Sequence, residues 1–210
     1  LDGGTGVFRL ADLIETETLD VLLSHAHLDH SFGLTFMLDV LFQRPVERLR
    51  IWGEADKIAA IRDHLFHDLI FPAPINAEWM AIDGQQDIEI GEAKVSWRPQ
   101  NHPGGSVAYR VDWPTGKRLV YATDTTGDTS DEHAAWSRDA DLLMHECYFR
   151  DDAEAWALKT GHSWSSRVAE VAAASKPKRL LLTHINPLEM SDDPVDIESI
   201  RAKVDSEVLL

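Results

Sequence analysis

One six-residue segment limits what this chain can be more than any other feature. His25-Ala26-His27-Leu28-Asp29-His30 places four potential metal ligands directly after the apolar run Leu19–Ser24. The run predicts a strand of a buried sheet, and a tight loop at a strand end can direct side chains toward two neighbouring points. Imidazole and carboxylate are ligands that zinc favours, with manganese or iron as alternatives. The alternative interpretation is a polar loop of solvated histidines.

Three more candidate ligands each stand just after an apolar run that predicts a strand, and these are His102, Asp124 and His184. A single histidine or aspartate at a strand end is more often a cap or a turn former. Together, however, the three repeat the arrangement of the first segment, so several strands would bring their carboxyl ends to one site. Seven ligands make two metal sites of three or four, and Asp124 is suited to bridge them.

The remaining pattern predicts the fold class. The front half of the chain is rich in hairpins and the back half alternates strand and helix, so we expect an α/β (α+β) protein with two sheets sandwiched between helices. No linker or repeat interrupts residues 1–210, which predicts a single domain. Leu1-Asp2-Gly3-Gly4 is typical of a strand end, and Glu207–Leu210 stops inside an apolar run. We therefore expect that the first strands and the C-terminal end are missing.

Individual elements follow from periodicity and turn residues. The predicted helices are Phe32–Phe42, Glu54–Leu69, Ser165–Ser175 and Pro194–Val204, the last with Asp193 as its N-cap. The two predicted hairpins pair Ile88–Ile90 with Lys94–Pro99 and Val107–Val111 with Arg118–Thr123. Further strands are predicted at Ile51–Trp52, Asp141–His145 and Arg179–Thr183.

The net charge disfavours some classes of binding partner, and the cysteine content excludes one class of fold. The chain has 36 acidic and 20 basic residues, a formal net charge of −16, which opposes nucleic acids and anionic membranes in general. Arg44–Arg50 is the one notable basic cluster. The lone Cys147 excludes a disulfide framework. Because no apolar run reaches the ~18 residues of a membrane span and no signal peptide is visible, we expect a cytoplasmic protein without a membrane partner.

With these ligands in this order, the chain resembles the metallo-β-lactamase fold superfamily along essentially its whole length. The family's HxHxDH motif stands at residues 25–30, followed by its later His, Asp and His. The resemblance implies an αββα four-layer sandwich holding two divalent ions, with zinc the first expectation. The implied ligand sets are His25, His27 and His102 for one ion and Asp29, His30 and His184 for the other, with Asp124 bridging. It also implies a structural role for Asp2.

Other residues point to one branch of that superfamily. Asp124 argues against true β-lactamases, which usually lack the bridging aspartate, and His27 argues against the oxygen-reducing di-iron branch, which has glutamate there. Gly161-His162-Ser163 is similar to a motif of the ribonuclease Z branch, whose histidine donates a proton to the leaving oxygen. Glu146 resembles the carboxylate that orients this histidine. A helix cap is the alternative role for His162.

The resemblance therefore implies phosphodiester hydrolysis by a metal-bridging hydroxide, with Asp29, His162 and Glu146 as catalytic residues. Two departures bear on the substrate. Trp164 stands where the branch usually has threonine, and the short interval from His102 to Asp124 has no room for the Gly-rich arm that bacterial tRNA-processing members carry. We expect a small or cyclic phosphodiester or a tRNA 3′ trailer, and the branch is commonly homodimeric.

Two other functions remain open. A thioesterase of the glyoxalase II type shares all seven ligands, but it leaves Gly161-His162-Ser163 without a role. A non-catalytic, metal-stabilised binding domain is the second, although such proteins tend to lose ligands. Beside His102, the glycines of Gly104-Gly105 allow backbone N–H groups to approach an anionic oxygen, or simply form a tight turn. His64, His67 and His133 are expected on the surface or on helix faces.

Overall fold

The computed structural model describes all 210 residues and divides them into two compact units, Leu1–Gln85 and Gln86–Leu210. Each unit contains one sheet, so the prediction of two sheets is confirmed. That both units belong to a single domain stays a prediction. None of the helices combines the length and the apolar character needed to cross a bilayer.

The first unit is built on a parallel sheet of three strands, in the order β1-β2-β3. Its strands are β1 (Thr18–Leu22), β2 (Arg48–Gly53) and β3 (Glu78–Ala81). Its α-helices are α1 (Leu28–Ser31), α2 (Met37–Gln43) and α3 (Ala55–Ala60), with 3-10 helices at Thr5–Asp12 and Phe32–Phe36. Parallel strands need crossover connections, and the helical segment after β1 supplies the first one. Leu34, Met37 and Ile51 are fully buried in the core of this unit.

The second unit contains a seven-stranded mixed sheet in the order β10-β9-β8-β7-β6-β5-β4. Its strands are β4 (Asp87–Ile90), β5 (Ala93–Gln100), β6 (Ser106–Asp112), β7 (Arg118–Ala122), β8 (Leu142–Glu146), β9 (Arg179–Thr183) and β10 (Glu207–Leu209). Its helices are α4 (Asp131–Ser137), α5 (Glu154–Thr160), α6 (Ser165–Ser175) and α7 (Ile197–Arg201), with a 3-10 turn at Asp151–Ala153. The buried face of α6, including Val168 and Ala172, packs into the core with Leu143 and Leu180.

The direction of the strands decides where polar side chains collect in the second unit. Strands β7, β8 and β9 are parallel neighbours, with Ala122 opposite His145 and Glu146 opposite Thr183. The carboxyl ends of parallel neighbours lie at the same edge of a sheet. Asp124, Glu146 and His184 therefore come to one edge of this sheet.

Most predicted elements are confirmed, including α6 at its predicted bounds and both hairpins. The helix predicted at Glu54–Leu69 is too long. Regular α-helix ends at Ala60, and a π-helical turn follows at Ile61–Leu65. Leu69 is 90% exposed, so burial does not stabilise further helical turns. Strands β3 and β10 are short edge strands that the sequence pattern did not predict.

The last helix is also shorter than predicted. It covers Ile197–Arg201, and its N-cap residue is Asp196, in a left-handed conformation with φ 52°, rather than Asp193. The carboxylate of Asp193 accepts the N–H groups of Val195 and Ile197. These bonds hold residues 193–196 as a turn ahead of the helix, so Asp193 acts one turn earlier than the sequence predicted.

Candidate functional site

The first group of candidate ligands lies in the first unit, where β1 leads into α1. We call His25, His27, Asp29 and His30 the motif cluster. The ring of His25 lies 4.4 Å, between centroids, from the rings of both His27 and His30. His25 and His30 are buried, whereas His27 and Asp29 are exposed. The Nε2 atom of His30 is 3.3 Å from Oδ2 of Asp29.

Asp2 and Ser24 orient two of these imidazoles. Asp2 accepts the Ser24 N–H at 2.6 Å and the Ser24 hydroxyl at 2.9 Å, and its Oδ2 lies 2.8 Å from Nδ1 of His30. Since the single hydroxyl proton of Ser24 goes to Asp2, the 3.0 Å contact with Nδ1 of His25 requires that this nitrogen donates. Both imidazoles therefore carry their proton on Nδ1. This tautomer gives Nε2 the lone pair that a metal ion needs.

Glycines allow the close approach that puts Asp2 in place. The N–H of Gly3 donates to the carbonyl oxygen of His30 at 2.7 Å. A Cβ atom on Gly33 would lie 1.9 Å from the carbonyl oxygen of Gly4, so no larger residue fits there. Asp2 itself has a left-handed backbone with φ 56°. The segment Leu1–Gly4 thus acts as a support for the motif cluster.

A second group of candidate ligands, His102, Asp124 and His184, lies in the second unit and is called the strand-end cluster. The two carboxylate oxygens of Asp124 face different imidazoles. Oδ2 lies 3.3 Å from Nε2 of His102, and Oδ1 lies 3.4 Å from Nε2 of His184. Asp124 is 2% exposed. A buried carboxylate that presents one oxygen to each of two imidazoles has the arrangement of a bridging ligand.

Two members of the strand-end cluster have a backbone conformation that is unfavourable for their residue types. Asp124 has φ 49° and His184 has φ 51°, both in the left-handed region. Such conformations cost of order 1–3 kcal/mol each and concentrate at functional sites. The sharp turn after β7 and after β9 directs each side chain over the edge of the sheet.

A backbone carbonyl fixes the third ligand of this cluster. Nδ1 of His102 lies 2.9 Å from the carbonyl oxygen of Gly161. A carbonyl only accepts, so His102 also carries its proton on Nδ1 and presents the Nε2 lone pair. Gly161 has φ 80°, and a Cβ atom there would lie 2.2 Å from Cδ of Pro103. Glycine is therefore required at this position.

Beside the strand-end cluster lies a carboxylate–imidazole pair. Glu146 is fully buried at the end of β8, and its Oε2 lies 3.0 Å from Nδ1 of His162. Its Oε1 accepts the N–H of Thr125, which fixes the carboxylate plane. The His162 ring stacks on the ring of Tyr148 at 4.5 Å, with 19° between the planes. Hydrogen bonding and stacking together hold His162 in one orientation.

His162 also lies within reach of two candidate ligands. Single ligand atoms of His162, Asp124 and His184 all lie within 4.8 Å of one another. The rings of His162 and His184 are nearly parallel, with centroids 5.4 Å apart. This position is compatible with a proton donor next to a metal centre and with a further metal ligand. The contact between Nδ1 and Glu146 leaves Nε2 as the nitrogen available for either role.

The remaining histidines lie apart from the candidate ligands. His64 and His67 are exposed, as predicted. His133 lies on a helix, the second of the two predicted positions, where it is 1% exposed and packs on Trp136. Burial lowers the pKa of His133 to about 4. Burial also lowers the pKa of His145, whose Nδ1 contacts a backbone carbonyl.

The donor chemistry of both clusters fits divalent metal ions. Three imidazoles, those of His25, His30 and His102, are held as the tautomer that offers Nε2, each by a protein acceptor on Nδ1. Metal-binding histidines in proteins show the same outer hydrogen bond. Cys147 does not contribute, because burial raises the pKa of its thiol to about 12. The ligands present are thus nitrogen and carboxylate oxygen, the set that zinc, manganese and iron accept.

Sequence reasoning missed three contributors to these arrangements. They are the Ser24 hydroxyl, the carbonyl oxygen of Gly161 and the ring of Tyr148. Ser24 and Tyr148 each stand within two residues of a singled-out position, but an ordinary side chain next to a motif gives no signal of its own. A backbone carbonyl gives none at all, because every residue has one.

Comparison with known proteins identifies the family. Residues 7–185 match the family described as the beta-lactamase superfamily domain. A ribonuclease Z of Gemmatimonas aurantiaca is 27% identical, over 85% of this chain and 72% of that protein. The metallo-beta-lactamase fold protein YhfI from Bacillus subtilis superposes with a TM-score of 0.73 at 21% identity, covering 99% of this chain and 80% of that one.

A diphosphatase from the PhnP family also superposes with a TM-score of 0.73, at 18% identity, covering 100% of this chain and 75% of that one. The two structural likenesses show the metallo-β-lactamase fold and confirm the predicted fold class. The family match, together with the similarity to a ribonuclease Z, agrees with the metal-binding chemistry of the two clusters. The chain belongs to the beta-lactamase superfamily, as a ribonuclease Z-like metallo-hydrolase.

Proposed function

We propose that this protein is a dinuclear metal-dependent phosphodiesterase. In this proposal the motif cluster and the strand-end cluster together supply the ligands of two divalent ions, zinc being the first candidate. The assignment follows the resemblance: His25, His27 and His102 for one ion, Asp29, His30 and His184 for the other, and Asp124 for both. The donor chemistry of each cluster supports it.

One observation carries the proposal: Asp124 presents its two oxygens to two different imidazoles, at 3.3 and 3.4 Å. A carboxylate that served a single ion would not need this arrangement. When bound, two divalent ions lower the pKa of water toward neutrality and stabilise the charge that develops on a phosphoryl group. The protein's part is to hold the ligands in fixed tautomers and orientations.

His162 is the proposed proton donor. Its Nδ1 faces Oε2 of Glu146, so the carboxylate orients the ring and leaves Nε2 to deliver the proton to the leaving oxygen. Glu146 is fully buried, and an unpaired buried carboxylate is costly, so the contact with His162 also satisfies one of its oxygens. Glu146 thus orients His162, while Asp29 contributes its carboxylate near His30.

The charges favour a small phosphodiester over a long RNA. The positive charge of two divalent cations would exceed the negative charge of the Asp29 and Asp124 carboxylates. The remaining positive charge can bind one phosphodiester. A polyanion must also contact the surface of a chain whose net charge is −16. The one basic cluster is largely neutralised, because Arg48 pairs with Glu78 and Arg50 pairs with Asp20, each at 2.7 Å.

The similarity to a ribonuclease Z keeps a tRNA 3′ trailer as the second candidate substrate. Two further expectations rest on the resemblance and on sequence composition. They are a location in the cytoplasm and assembly as a homodimer.

The test compares three substrates of the zinc-loaded protein at low salt, each with a chelator control. We expect chelator-sensitive hydrolysis of an aryl phosphodiester and no cleavage of a precursor tRNA. Cleavage at the trailer junction would assign the protein to tRNA processing and show that the charge argument is wrong. Hydrolysis of a thioester, with no hydrolysis of either phosphodiester, would favour a thioesterase over a phosphodiesterase. Tight metal binding without turnover on any ester would indicate a binding domain.

A further inference from the structure

Two side-chain hydroxyl groups bind Asp124 in the second unit. The Thr123 hydroxyl donates to Oδ1 of the Asp124 carboxylate at 2.9 Å, and the Ser106 hydroxyl donates to the Asp124 carbonyl oxygen at 2.7 Å. All three residues are buried. One hydroxyl therefore acts on the side chain of Asp124, and the other acts on its backbone.

The Ser106 contact stabilises the backbone of the turn after β7. Asp124 has a left-handed φ of 49°, a conformation that persists only where the surrounding structure supports it. Ser106 is the first residue of β6, so this support comes from a neighbouring strand. In the same turn, the N–H of Thr126 donates to the carbonyl oxygen of Asn101 at 3.2 Å. These two bonds fix the course of the chain, but they do not determine how the Asp124 carboxylate is rotated.

The Thr123 contact acts on that rotation. With the hydroxyl bound to Oδ1, this oxygen lies 3.4 Å from Nε2 of His184, and Oδ2 lies 3.3 Å from Nε2 of His102. Because the two oxygens belong to one rigid carboxylate, a rotation that moves one of them away from its imidazole also moves the other. A donor on Oδ1 therefore stabilises the single orientation that serves both imidazoles.

Thr183 gives a comparison within the same unit. It directly precedes the candidate ligand His184 at the end of β9, as Thr123 directly precedes Asp124 after β7. The hydroxyl oxygen of Thr183 is also buried, but it has no hydrogen-bond partner. A threonine in front of a candidate ligand thus does not by itself make such a bond, and the contact of Thr123 with Asp124 depends on the turn after β7.

Carboxylates that bind metal ions in proteins are themselves hydrogen-bonded, and loss of the outer partner typically lowers metal affinity 10- to 100-fold. This need is stricter for a carboxylate shared by two ions, since both oxygens must be placed by one rotation. The Thr123 hydroxyl meets it with a neutral donor that adds no charge. It competes with an ion for one lone pair of Oδ1 and leaves the other available.

We propose that Thr123 is a positioning residue for the shared carboxylate, whose hydroxyl holds Asp124 in the rotation that presents one oxygen toward His102 and the other toward His184. The inference rests on the proposed function, in which Asp124 serves both ions. Thr123 makes no contact with substrate and transfers no proton in this proposal. Its removal should therefore be seen first in the binding of the ions.

The test compares the zinc affinity of three full-length variants, measured by competition with a chromogenic chelator. Thr123→Val keeps the branched shape but removes the hydroxyl, and its zinc affinity should fall about 10- to 100-fold. Thr123→Ser keeps the hydroxyl and should bind zinc nearly as tightly as the unchanged protein. Thr183→Val is the matched control, because it removes a hydroxyl that makes no hydrogen bond, and its zinc affinity should not change.

A spectroscopic readout separates positioning from a general effect on the fold. The visible absorption spectrum of the cobalt(II)-loaded protein reports the geometry of the ligands around the ions. We expect an altered spectrum for Thr123→Val and an unaltered one for Thr123→Ser and Thr183→Val. Circular dichroism of the metal-free proteins checks that each variant is folded. Thr123→Ala, which places no extra methyl group against the carboxylate, replaces Thr123→Val if the latter does not fold.

Three outcomes would overturn the proposal. They are an unchanged zinc affinity and cobalt spectrum in the folded variant without the hydroxyl, a loss in Thr123→Ser as large as that in Thr123→Val, and an equal loss in Thr183→Val. In each case the proposed function still stands if the unchanged protein binds two ions and hydrolyses an aryl phosphodiester. Binding of at most one ion by the unchanged protein would contradict the proposed function itself.

Discussion

The two clusters of candidate ligands are built in different ways. The motif cluster takes four ligands from six consecutive residues after one strand, and its supports are Asp2 and Ser24. The strand-end cluster takes one ligand at a time from segments far apart in the chain, and neighbouring strands bring them together. The side chains of a compact motif are therefore oriented by residues outside the motif, whereas the side chains of a dispersed cluster are brought together by the sheet as a whole.

Backbone strain is distributed differently as well. In the first unit, the left-handed non-glycine residue is the support Asp2, while the candidate ligand Asp29 lies in α1. In the second unit, the candidate ligands Asp124 and His184 are themselves left-handed. Substitutions in the two units should therefore fail in different ways, and four predictions test this.

The largest effect is expected at His162. His162→Ala removes the proposed proton donor and should slow phosphodiester hydrolysis by about 10²–10⁴-fold, with the metal content unchanged. Steady-state kinetics and metal analysis of the same preparation provide the measurement. The matched control is His64→Ala, since His64 is exposed. Loss of an ion from His162→Ala would make this residue a ligand and enlarge the strand-end cluster.

The next effect concerns the glycine that supports His102. Gly161→Ala combines left-handed strain of about 1–2 kcal/mol with overpacking of roughly 1–3 kcal/mol against Pro103. Gly105→Ala is the control, because Gly105 has φ 78° but open space around it. Denaturant unfolding should show the larger loss for Gly161→Ala. Equal losses would mean that the contact with Pro103 relaxes without cost.

A third prediction contrasts the supporting carboxylates of the two units. Asp2→Asn weakens the hold on His30 and Ser24, so metal affinity should fall about 10- to 100-fold. Glu146→Gln alters the 3.0 Å contact with Nδ1 of His162 more than the 3.6 Å contact with Nδ1 of His184, so we expect a larger loss of turnover than of metal affinity. Competition with a chromogenic chelator measures the affinities. Equal metal loss in both variants would remove the proposed distinction between the two carboxylates.

The smallest effect concerns a buried histidine that is not a candidate ligand. The pKa of His133 is about 4 in the folded chain, below the ordinary 6.5, because of burial. Protonation of His133 therefore favours the unfolded chain. The stabilising contribution of the neutral, buried His133 is complete above pH 6.5 and is lost as the pH falls toward 4. Between pH 7 and pH 5 the loss should be roughly 2 kcal/mol. Urea unfolding of His133→Phe should lack this part of the pH dependence, and an unchanged dependence would contradict it.

The sequence predicted most of the regular structure and all candidate ligands, but not their supports. Strong periodicity fixed α6 and the hairpins, since burial on one face determines both. The helix predicted at Pro194–Val204 was too long. Asp193 can either cap a helix or accept hydrogen bonds within a turn, and the residue type alone does not decide between the two. Asp124 and His184 were identified by chemistry, whereas their left-handed backbone depends on the completed sheet.

The most direct test of the account is the number of metal ions per chain, measured by native mass spectrometry of the zinc-loaded protein and of Asp124→Ala. If the two clusters serve one dinuclear centre with Asp124 as the shared ligand, the unchanged protein holds two ions and the variant holds at most one. Equal ion content in both would contradict the account, because Asp124 would then bridge nothing.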